Sequence, residues 1–145
     1  MKTAKEVKAK FEMISREVQE SEASRMNAMI DPQFHGCDTD TMTVEVRYEA
    51  KDWEKNHRDE LHGGVVAAMF DTAMGISLLA LSDHDSVATS DLDVSFIRPF
   101  TGASFIFEVN IIRIGRTLAR VRALAKDEAT DKLLASATSN FVYKD

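Results

Sequence analysis

Residues 61–82 read LHGGVVAAMFDTAMGISLLALS, a run whose only charge after His62 is Asp71. Gly63 to Ser82 has about the length that spans a bilayer, roughly 20 residues. A mid-segment Asp costs roughly 2.5 to 3.5 kcal/mol on insertion scales, however, and Gly, Ser and Thr dilute the remaining gain. The run therefore reads as a helix that is apolar on all sides because the rest of a core wraps it. No membrane partner is expected.

At about 100° per residue, Gly64, Ala67, Ala68, Met74, Gly75 and Leu78 share the Asp71 face, and Val66, Met69, Ala73 and Ile76 form a packing stripe opposite. The acid thus sits on the side with missing bulk, where a ligand or a second backbone fits. At the start of the helix, Gly63 and Gly64 offer unhindered N–H groups at the positive end of the dipole, which suits a developing oxyanion. Taken singly, Asp71 also reads as a core aspartate bonded to backbone or Thr, and the glycines read more simply as a close-packed helix end. Their joint occurrence points to chemistry. They are nevertheless eight residues apart, about 12 Å along a helix, whereas a reacting carbonyl lies within about 3 to 3.5 Å of both its attacking group and its oxyanion donors. Both can act on one substrate only if the donor comes from a second subunit with an antiparallel helix. That predicts an isologous homodimer with two sites astride the interface.

Working outward, Val7, Phe11, Ile14 and Val18 recur at helical steps among Lys and Glu, the single stripe of a surface helix that covers something. Asp31-Pro32 and His35-Gly36 break it, and Thr41 to Tyr48 then alternates as a half-buried strand. Beyond the central helix, Val87 to Ile97, Ala103 to Ile114, Thr117 to Lys126 and Lys132 to Tyr143 read as strands of an antiparallel meander, with Gly115-Arg116 as a Gly-first hairpin turn. Strand, long apolar helix, then strands is an α+β order. We divide the chain into an N-terminal helical extension, 1–32, and a main domain, 33–145.

The 145 residues suit one ordinary core, and a net charge of −6 argues against a grip on nucleic acid. Cys37, the one cysteine, reads as a small buried hydrophobe in a reducing, cytoplasmic setting. The first residues, MKTAKEVKAKFEM, lack the unbroken apolar core of an export signal. His57 and His62 have no third ligand at metal spacing, so no metal and no cofactor are expected.

Leu61-His62-Gly63-Gly64 followed by VVAAMFDTAMG, 65–75, closely resembles the signature of hotdog-fold acyl-CoA thioesterases of the PaaI-like (phenylacetate-degradation) type. DLDVSFIRP, 91–99, resembles the next family strand, and IIRIGRTLARVRALA, 111–125, the following hairpin, so the resemblance covers roughly residues 34 to 143. It implies a single hotdog fold: a curved antiparallel sheet wrapped around a long central helix, here with an extra N-terminal helix, forming a dimer and often a dimer of dimers. It implies hydrolysis of an acyl-CoA or aryl-CoA thioester, with Asp71 as base or nucleophile and the Gly63 amide of the partner chain as oxyanion donor. By the same resemblance, Asn56 holds substrate or water, and Thr89 orients the water. The family pattern carries a Gly where this chain has Asp59. Substrate contacts are expected from His62, Gly64, Ala68, Met74 and, toward the CoA phosphates, Arg98 and Arg116. Other readings remain: a solvated loop for Asn56, an ordinary strand Thr for Thr89, and for His62 a role in fixing the turn. Two functional alternatives are a non-catalytic acyl-CoA-binding module and, less favoured because no His pairs with an acid in the required motif, a hydroxyacyl-thioester dehydratase.

Overall fold

The computed structural model describes residues 2–145. Its order is α1 (Ala4–Ser21), α2 (Met26–Ile30), β1 (Gln33–Asp38), β2 (Thr43–Glu49), a short 3-10 turn (Asp52–Glu54), α3 (Gly63–Leu81), β3 (Val87–Phe96), β4 (Ser104–Ile114), β5 (Leu118–Asp127) and β6 (Leu133–Tyr143).

The six strands form one antiparallel sheet in the order β1-β2-β4-β5-β6-β3, wrapped on α3 as the hotdog expectation requires. The alternation read in the sequence is the inward face: Val44, Val46 and Tyr48 of β2 and Phe105, Phe107 and Val109 of β4 are fully buried. On β5 and β6 the facing inward pairs are small, Ala123 opposite Ala137 and Ala125 opposite Ala135. Small residues there let the sheet close tightly on the helix. The Tyr48 hydroxyl donates to the Met69 carbonyl at 2.8 Å and ties strand to helix. Burial, together with the nearby Asp71 and Glu54 carboxylates, pushes this phenol well above its ordinary range and keeps it a neutral donor.

Three expectations need correction. The last four strands are not one meander: β3 pairs with β6 and lies at the sheet edge, while β4, β5 and β6 form the meander. The Arg98-Pro99 stop lets the chain cross from that edge to the far side. Gln33 to Asp38 is a strand in spite of His35-Gly36, because its register against β2 shifts between Phe34 and Gly36 and absorbs the break as a bulge. Gly115 has no positive φ, so the hairpin is not of the Gly-first type. The turn residues are Arg116 and Thr117, closed by the Gly115 N–H on the Leu118 carbonyl at 2.9 Å. A Cβ at Gly115 would meet that carbonyl oxygen at 2.8 Å, which accounts for the glycine.

α1 begins in a capping box, Thr3 with Glu6, and buries Val7 and Phe11 in the shared core. Lys10 Nζ donates to the Ser82 and His84 carbonyls at 2.9 and 2.8 Å, capping the negative end of α3. Farther along, Asn27 accepts from Thr72 of α3 at 2.8 Å. The extension therefore runs back along α3 from its C-terminus to its middle. α3 has the length and apolarity of a membrane span, yet Val66, Met69, Phe70, Ala73, Met74 and Leu78 are all fully buried against the sheet.

Candidate active site

The exposed and half-exposed stripe of α3 runs through Gly64, Ala67, Ala68, Asp71, Thr72 and Gly75. This is the side that its small residues clear of bulk, and Asp71 is accordingly half-buried rather than sealed in the core. Met74, expected beside the substrate, is fully buried in the core of this chain. Ala68 stays on the open stripe without lining the Asp71 cavity.

Thr89 Oγ1 donates to Asp71 Oδ1 at 2.6 Å. The bond fixes one carboxylate oxygen, while the other accepts no hydrogen bond among the described residues. Thr89 is aimed there by an irregularity in β3, whose register against β6 shifts between Thr89 and Asp91. Asp91 pins the irregularity: its carboxylate accepts from the Asn140 N–H at 2.7 Å and Nδ2 at 3.2 Å, and its carbonyl accepts from Ser139 Oγ at 2.6 Å. Asp71 and Thr89 border a cavity of about 280 Å³.

A second hollow, of about 460 Å³, lies at the N-terminus of α3 and brings together Asn56, Gly63 and Arg98. His62 is the N-cap: its Nδ1 accepts from the Gly64 N–H at 2.9 Å, the turn-fixing role, so the Gly64 amide is occupied. The Gly63 N–H donates to no acceptor among the described residues, and the Phe96 ring lies over Gly63. Asn56 Oδ1 accepts from the Arg58 and Glu60 amides at 2.9 and 3.3 Å, closing the loop that delivers the glycines. Asp59 in that loop has φ 63°, the left-handed conformation that favours Gly. Arg98 Nη1 donates to the Leu133 carbonyl at 2.7 Å, holding the guanidinium beside the hollow. Arg116 sits exposed on the β4–β5 turn and borders neither hollow. Among the described residues no His, Cys, Asp or Glu cluster could hold a metal ion. Cys37 is half-buried beneath α1, and burial pushes its thiol up.

The Asp71 cavity also has walls that sequence reasoning missed. Ile14, Ser15 and Val18 of α1 face it, with Asn27 and Pro32 following; Gly75, Ile76 and Leu79 continue the α3 side; Val87 and Phe141 close the sheet side. The stripe on α1 signalled that the helix covers something, and the cleared face of α3 was the surface needing cover.

A sequence model of the Thioesterase superfamily matches residues 60–133, just over half of the chain. A Halobacterium salinarum protein named as an esterase is 39% identical over 62 residues, covering 41% of this chain and 40% of its own. The Salmonella typhimurium medium/long-chain acyl-CoA thioesterase YigI is 31% identical over 97 residues, covering 57% and 61%. The match thus spans less than two thirds of either relative. Among solved structures, a phenylacetic acid degradation-related protein of Ralstonia eutropha superposes with a TM-score of 0.76 at 25% identity, covering 92% of this chain and 98% of that one. The chain belongs to the Thioesterase superfamily. Its architecture is the PaaI-like hotdog.

Proposed function

We propose that the protein is an acyl-CoA thioesterase that works as a homodimer, with each site shared between two chains. The observation that carries this reading is the 2.6 Å Thr89–Asp71 bond on the cleared face of α3, set apart from an unoccupied Gly63 amide in a different hollow. Two half-sites about 12 Å apart along one helix complement each other when a second α3 runs antiparallel against the first. The edge position of β3 supports such pairing, since its outer backbone groups are free to extend the sheet across a twofold axis. Phe96 and Ile97, about half exposed at 53% and 50%, lie at the end of that edge.

In the shared site Asp71 brings oxygen to the thioester carbon, by deprotonating a water or by attacking directly. Thr89 holds the carboxylate in aim, and the partner's Gly63 amide stabilises the oxyanion. Collapse of the tetrahedral species breaks the C–S bond; water supplies the hydroxyl of the acid and the proton of the CoA thiol. Asn56 keeps the glycine loop in place, and Arg98 meets the CoA phosphates. Two such dimers associating as a tetramer, and a cytoplasmic setting, complete the proposal. Asp71→Asn is expected to lower kcat for CoA-ester hydrolysis by orders of magnitude with the thermal melt unchanged. Thiol release that survives this substitution would sink the assignment of Asp71.

A further inference from the structure

We infer that the N-terminal extension is the lid of the acyl pocket and sets its length. This inference rests on the thioesterase reading above. The Asp71 cavity runs from the carboxylate between α1 and α3, and apolar side chains line both sides: Ile14 and Val18 on one, Leu79, Val87 and Phe141 on the other. Its polar groups are Asp71 with Thr89, where the reacting carbonyl would sit, the Thr72–Asn27 bond that holds the extension against α3, and Ser15, which donates to the Pro32 carbonyl at 3.4 Å. Most of these polar groups are already paired with one another, and apolar walls with a few polar groups beside a reactive carboxylate suit an apolar chain with a reactive head. The tail passes toward the C-terminal half of α3, over Gly75.

The size follows from the volume. At roughly 30 Å³ per carbon-sized group, taking the share of a water molecule, a cavity of 280 Å³ holds about nine such groups. That matches an octanoyl to decanoyl chain or a single-ring arylacetyl group more closely than a hexadecanoyl tail. Much of this boundary comes from α1, α2 and Phe141, all outside residues 60–133 that match the family model.

Two substitutions test the boundary from opposite sides. A Cβ at Gly75 would stand 3.5 Å from Phe141 Cε1, an ordinary contact, so Gly75→Ala adds a methyl to the wall without displacing a neighbour. Ala is also the better helix former, which keeps the variant folded. Val18→Ala removes bulk from the lid. In kcat/KM profiles over saturated CoA thioesters from butanoyl to hexadecanoyl, Gly75→Ala is expected to move the optimum to shorter chains, with about fourfold loss per excluded methylene, the equivalent of about 0.8 kcal/mol. Val18→Ala moves it to longer ones. Folded variants with profiles superimposed on the wild type would overturn the inference. If Asp71→Asn is inactive while those profiles stay fixed, only the placement of the acyl group falls; if the wild-type protein releases no thiol from any of these CoA esters, the thioesterase reading falls with it.

Discussion

Gly63→Pro separates the oxyanion donor from the fold. Gly63 is the first residue of α3, where a missing N–H breaks no intrahelical bond and the φ of proline is already helical. The residue before a proline must be extended, and His62 is, at φ −61° and ψ 135°. The neighbourhood has room, since a Cβ at Gly63 would lie 3.5 Å from the Phe96 ring. The melt should therefore stay level or rise, by up to about 1 kcal/mol from the stiffer unfolded chain. Catalysis should not be spared. Removing one oxyanion donor costs about 2.7 to 4 kcal/mol, or about 100- to 1,000-fold in kcat. The assay is thiol release from a saturating CoA ester, run beside thermal unfolding. A folded Gly63→Pro protein with kcat within a few-fold of wild type would refute the assignment of this amide.

Two further substitutions examine the parts that support the site. Asp91→Ala removes both carboxylate contacts to Asn140 from the β3 irregularity, so kcat should fall about tenfold through the loss of a charge-assisted Thr89–Asp71 bond; kcat equal to wild type would separate the irregularity from the aim of Thr89. Glu54 is fully buried with Oε2 unpartnered, and burial raises its carboxyl above the usual range. A raised folded value means that the protonated form favours folding, and that this contribution is lost as pH climbs through the folded value. Glu54→Gln should therefore be neutral below the unfolded value and stabilising by about 1 kcal/mol at neutral pH, read from urea midpoints at both; a pH-independent difference would contradict this.

Much of the fold was legible because its signals are local. The lone charge in residues 61–82, the alternation of Val44, Val46 and Tyr48, and the apolar spacing of Val7 and Phe11 each follow from one element's own period. What stayed hidden depends on contacts between elements far apart in the chain. The pairing of β3 with β6 leaves no mark in either strand, and a meander was the natural reading. By spacing, Met74 and Gly75 both fall on the broad Asp71 face, yet they lie about 100° apart round the helix, and one is completely buried while the other borders a cavity. Ile14 and Val18 announced a covering helix without naming the surface beneath. Gly63, Asp71 and Thr89 were visible as candidates from motif and spacing, while the role of Asp91 in aiming Thr89 emerges only from its bonds to Ser139 and Asn140.

The central claim is that neither chain holds a whole site, and mixing two inactive chains tests it most directly. In a dimer of one Asp71→Asn chain and one Gly63→Pro chain, one site carries both defects and the other carries neither. After verified subunit exchange at equal concentrations, half of the dimers are mixed, so activity should return to about a quarter of wild type under twofold symmetry. A verified mixture that stays as inactive as its parents would contradict the shared site.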